Sequence, residues 1–91
     1  MANGTSPERQ ERLQELREDF TDRADVIDGG VRSLLSQMDL TRTDEDHERM
    51  IDALMGVSRA ADALRALARQ DFVEANEATT AMARYAERAF G

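Results

Sequence analysis

Eight apolar residues in the first half of this chain, Leu13, Leu16, Phe20, Ala24, Ile27, Val31, Leu34 and Met38, recur every three or four positions. That interval is the repeat of one face of an α-helix. A helix of about 30 residues is roughly 45 Å long, and a stripe of that length is buried only against other long helices. The chain is therefore built to pack helix on helix.

Local signals divide it into three such elements. Ser6 is placed to accept an orphan backbone N–H as an N-cap, and Pro7 has no N–H to waste at the first helical position. The first helix is expected over 7–39, with the polar residues 1–6 as a disordered lead. Thr43 reads as the cap of a second helix over 44–69, whose first turn holds Asp44, Glu45 and Asp46. Asp71 and Glu74 form a D-x-x-E start for a third helix over 72–90, ahead of Gly91. Short links set neighbouring helices antiparallel. The expected fold is all-α, one domain over 1–91: a long antiparallel helical hairpin with a third helix packed on it, a three-helix bundle.

Apolar residues of the second helix, Met50, Ala53, Leu54, Val57, Ala60, Ala61, Leu64, Leu67 and Ala68, cover an arc of about 140° at 100° per residue. That is wide enough for two neighbours. The third helix offers a narrower face of Phe72, Ala75, Ala78, Met82, Tyr85, Ala86 and Ala89, with Phe72, Met82 and Tyr85 expected to supply most of its buried area. The first helix outreaches the third, so part of its stripe calls for an intermolecular partner.

Composition excludes several functions. The 91 residues include no Cys, which removes disulfides, thiolate metal sites and a Cys nucleophile. No apolar run approaches the ~20 residues of a membrane span, and Met1–Ser6 lacks the apolar core of a secretory leader, so a cytoplasmic protein is expected. All twelve basic residues are Arg, against nineteen acids, for a net charge of −7. Such a balance argues against direct binding to nucleic acid or an anionic membrane and favours a basic partner.

Four features are candidates for more than packing. Gly29-Gly30 interrupts good helix formers at a cost of about 1 kcal/mol each relative to Ala. The unbroken stripe favours a continuous helix with a small-residue crossing near Ala53 and Gly56; the rival is a hinge, with Asp28 capping a separate helix. Glu11, Glu15, Glu18, Asp22 and Asp25 align within about 80° opposite the apolar stripe, either as a solvated face or as a recognition surface for a basic partner. His47 stands one turn from Asp44, the spacing of carboxylate–histidine metal helices, yet it reads more simply as a partly exposed residue among acids, and no metal or cofactor is expected. Leu35, Ile51 and Met55 fall outside the main stripes, either as a partner contact, which Val73 and Phe90 would extend, or as residues buried under the third helix.

In size the chain is similar to small helical-hairpin secretion substrates that carry Trp-x-Gly at the turn. Here the turn reads Leu40-Thr41-Arg42 and Trp is absent, so that family is not assigned. With one His and no Ser beside a base, no nucleophile system is legible. The function expected is that of a small acidic non-enzymatic interaction protein, self-associating as a homodimer or binding another protein. Two alternatives are an acidic inhibitor occluding a basic nucleic-acid-binding surface, and a metal-binding helical protein using His47 with Asp44 or Glu48.

Overall fold

The computed structural model describes residues 7–39 and 41–91. It is an all-α three-helix bundle of α1 (Pro7–Gln37), α2 (Glu45–Ala68) and α3 (Phe72–Phe90). The cap read at Ser6 and the disordered lead over 1–6 lie outside the described residues.

The turn between α1 and α2 differs from expectation by one residue. Asp44, not Thr43, is the N-cap: its backbone is extended and its Oδ2 accepts the His47 N–H at 3.2 Å. Arg42 fixes this arrangement by forking onto both carboxylate oxygens of Asp44 at 2.8 Å. That carboxylate therefore serves helix and turn at once, a function the Thr43 hydroxyl cannot match. α1 ends at Gln37, short of residue 39, because Asp39 turns the chain instead, its Oδ1 accepting the N–H and hydroxyl of Thr41 at 3.0 and 2.6 Å.

α3 begins as its sequence predicts, with the Asp71 carboxylate accepting the Glu74 N–H at 3.0 Å. Before it, α2 closes in a Schellman motif. Asp71 N–H bonds the Ala66 carbonyl at 2.9 Å and Gln70 N–H bonds the Leu67 carbonyl at 3.0 Å. Gln70 holds the left-handed position of that motif, at φ 61°, where Gly is usual.

α2 is the middle helix. It packs against both α1 and α3, while among the described residues no Cα of α1 comes within 8 Å of α3. The two interfaces use nearly opposite sides of α2. His47, Leu54 and Ala61 share the side of Arg65, which reaches Asp25 and Asp28 of α1. Gly56 and Ala63 lie about 140–180° away from Leu54 and Ala61, towards α3. The result is an open, flattened bundle of 63 × 23 × 15 Å.

Its core is small. Ala24, Ala61, Ala63, Ala66, Ala75, Ala78 and Ala89 are buried together with Val31 and Leu54, and none of the large side chains described is fully buried. Several stripe residues expected inside are exposed instead, namely Leu13, Leu16, Leu34, Met50, Val57, Leu67 and Phe72. Every residue from Pro7 to Asp19 is exposed, because α1 runs past the C-terminal end of α2. Gly29-Gly30 lies within unbroken helix, as the stripe spacing favours. The crossing expected there is absent, since a Cβ on either glycine would meet nothing within 4 Å. Close approach occurs at Gly56, whose Cβ would lie 3.3 Å from the Tyr85 Cβ of α3.

Candidate interaction surface

Because α1 and α3 occupy opposite sides of α2, the remaining surface of α2 divides into two open faces. On one, Met50, Ala53, Val57, Ala60, Leu64 and Leu67 fill an arc of about 100°. A shallow hollow there is lined by Asp22, Arg23, Val26 and Ile27 of α1 with Leu64. A second is lined by Ala53, Gly56, Val57 and Ala60 with Met82, Ala86 and Phe90 of α3. The α2 residues Ala53, Val57, Ala60 and Leu64 lie within about 60° of one another, so both hollows open on the same side of the bundle.

This face carries apolar residues of all three helices, with Asp22 and Arg23 of α1 at its edge. Leu34 is 51% exposed, Met50 55%, Val57 45% and Phe90 81%. Its openness has a local cause in the Gly56 crossing. With no side chain at Gly56, α3 sits close on the Gly56–Ala63 side, and it leaves Val57 exposed and Leu64 half-buried.

The opposite face is ionic. Arg65 reaches across to α1, bonding Asp25 at 2.8 Å and pairing with Asp28. Its hydrogen bonds to Asp25 and then to Asp28 hold the guanidinium above its ordinary range. Arg59 pairs with Asp62 at 3.1 Å, and the Arg88 guanidinium lies 5.4 Å from the centre of the Tyr85 ring.

The site residues read from sequence are placed as follows. Leu35, Ile51 and Met55 are half-buried, and Ile51 and Met55 lie about 140° and 180° around α2 from Leu64, so they sit away from the open apolar face. Val73 and Phe90 are exposed, and only Phe90 lines the apolar hollow. Glu11, Glu15, Glu18 and Asp22 are exposed along α1, with Asp22 at the rim of the other hollow. Asp25 is exposed as well, and its carboxylate also reaches Arg65 across the α1–α2 seam. The signal that sequence reasoning passed over is the internal split of the α2 arc: Leu54 and Ala61 separate from Met50, Val57 and Leu64 once α1 claims one side.

His47 also differs from expectation. It is 5% exposed, not partly exposed, and its buried Nε2 has no hydrogen-bond partner among the described residues. Burial follows from its place in the first turn of α2, on the side turned towards α1. The Asp44 carboxylate one turn away is already engaged by Arg42 and the His47 N–H, which holds it below its ordinary value. No three His, Cys, Asp or Glu side chains gather as metal ligands among the described residues, and no helix described is long and apolar enough to cross a membrane. Comparison with protein-family models, curated proteins and solved structures finds no match to the chain.

Proposed function

We propose that this chain is a small non-enzymatic protein–protein interaction module of the cytoplasm that acts by helix-face packing and associates with itself. The observation that supports this reading is the imbalance between what the bundle buries and what it leaves out. The core is built largely of alanine, while Leu34, Met50, Val57 and Phe90 stand open on one face. Apolar area returns roughly 25 cal/mol per Å² when removed from water, so the stabilisation this fold lacks internally is available at an interface. In this mechanism the apolar anchors supply affinity. The acidic exterior of α1 disfavours acidic partners and sets the salt dependence of encounter.

The test is the solution mass by light scattering over a roughly hundredfold concentration range, joined to capture of partners by the tagged full chain. A stable or concentration-dependent oligomer, or one stoichiometric partner lost on Leu64→Glu, is expected. A monomer throughout with no such partner refutes the reading.

A second reading rests on the α1 extension, where Glu11, Glu15 and Glu18 are exposed beyond the end of α2. That row suits an acidic inhibitor covering a basic, nucleic-acid-binding surface of another protein. Such a complex weakens steeply with salt, and Glu11→Gln with Glu15→Gln and Glu18→Gln abolishes it. An apolar interface shows neither effect.

A further inference from the structure

We infer that the open apolar face is closed by a second copy of this chain, stacked face to face and antiparallel, so that two three-helix units form one six-helix, two-layer body. The inference rests on the self-associating, helix-packing reading above and adds to it the face and the register.

The first support is the spacing on α2. Met50, Ala53, Val57, Ala60, Leu64 and Leu67 alternate steps of three and four, the a and d positions of a coiled-coil seam. α1 and α3 leave Met50, Val57 and Leu67 of this seam exposed and Ala53, Ala60 and Leu64 half-buried. A dyad passing between Ser58 and Arg59 sets every a position against a d position of the other copy. Met50 then meets Leu67, Ala53 meets Leu64, and Val57 meets Ala60, each pairing occurring twice by symmetry. Both alanines of the seam thus receive a larger side chain, as knobs filling holes require. Parallel pairing in register would set Ala53 on Ala53 and Ala60 on Ala60, leaving gaps between bulky layers. The large–small order is complementary to itself in the antiparallel sense alone, and this selects a second copy over an unrelated helix.

Size and charge agree. The bundle is 23 Å across, and the 24 residues of α2 span about 36 Å, so the footprint is about 800 Å² per copy. A standard stable interface buries about that much on each side. No charged residue falls in the seam arc between Met50 and Leu67. Glu11, Glu15 and Glu18 of α1 project from its outer side and only Asp22 of the acidic row reaches the rim of this face, so two copies of net charge −7 meet with most of that row turned away. The same dyad lays α1 against its own copy, with the half-buried Ile27 directed towards Leu34 of the second.

The experiment uses the full chain and two readouts. Sedimentation equilibrium is run on the natural sequence, on Leu64→Glu, and on Glu15→Gln as an outer-face control, each checked for helix content by circular dichroism. Because the chain has no Cys, register is read by disulfide trapping. Untagged Val57→Cys is mixed with tagged Ala60→Cys, and each is also oxidised alone. The expected result is a dimer whose Kd rises on the order of a thousandfold in Leu64→Glu, two buried hot-spot sites being lost at once. Glu15→Gln leaves the Kd unchanged, and the mixed 57–60 disulfide outpaces the 57–57 and 60–60 disulfides.

A dimer that ignores Leu64→Glu and gives no 57–60 disulfide overturns this face while helix-face self-association stands. Dominant 57–57 trapping overturns the antiparallel register. A monomer at about 1 mM overturns the second copy as occupant, and the capture experiment above then decides the broader reading. The cysteine variants are mild, so register remains readable even if Leu64→Glu fails to fold.

Discussion

Gly29→Ala combined with Gly30→Ala should stabilise the protein substantially. Both glycines lie within α1, both are exposed, and a Cβ on either has no heavy atom of another element within 4 Å. The substitution therefore changes backbone entropy and helix propensity without touching packing. Each Gly is about 0.8–1.0 kcal/mol worse than Ala in a helix interior, so the pair contributes about 1.6–2.0 kcal/mol. For 91 residues, an unfolding entropy of about 2.1 cal/mol/K per residue gives roughly 190 cal/mol/K. The expected rise in Tm is thus about 8–10 °C, measured by circular dichroism at 222 nm and one fixed protein concentration. An unchanged or lowered Tm refutes the argument, because it means that α1 breaks at the glycines, with Asp28 capping a separate segment.

Gln70→Gly, at φ 61° in the Schellman turn, should stabilise by about 1 kcal/mol, since a left-handed non-glycine residue costs about 1–2 kcal/mol; urea denaturation reads this, and a loss of stability counts against the turn. Gly56→Leu should destabilise by about 1–3 kcal/mol, because its Cβ already falls 3.3 Å from that of Tyr85; a melting temperature equal to that of the natural sequence would contradict the close α2–α3 crossing. Arg65→Gln should cost about 1 kcal/mol, read by chemical denaturation and reduced by high salt, because it removes the tie to Asp25 and Asp28. Hydrogen bonds from Arg42 to Asp44 and from Thr41 to Asp39 hold both carboxyls below the ordinary value of 3.8. The stability they contribute is complete above that value and is lost as pH falls through the lower folded values. Asp44→Asn keeps a capping side chain and should flatten this acid limb in denaturation curves recorded from pH 6 to pH 2; an unaltered slope would argue against the Asp44 pairing.

The information legible along the chain was one-dimensional. Asp71 with Glu74 marked the start of α3, and the unbroken stripe through Ile27, Val31 and Leu34 carried α1 across Gly29-Gly30. Capping and helix periodicity act within a few residues, so both were legible without knowledge of the neighbours. The cap of α2 moved from Thr43 to Asp44 because a second local partner, Arg42, claims that carboxylate.

Which parts of each face are covered depends on how the helices dock in three dimensions. Periodicity shows that Leu54, Val57 and Leu64 share a broad side of α2, but burial depends on where around α2 its neighbours dock. That angle follows from residues on different elements: Gly56 admits Tyr85 closely on one side, and Arg65 engages Asp25 and Asp28 on the other. With the two contacts nearly opposed, Leu54 and Ala61 go inside, His47 is enclosed, and Met50, Val57 and Leu34 are left open. Leu35, Ile51 and Met55 are half-buried while Met50, Val57 and Leu67 are open, because a helix repeat specifies a face while packing alone specifies what lies against it.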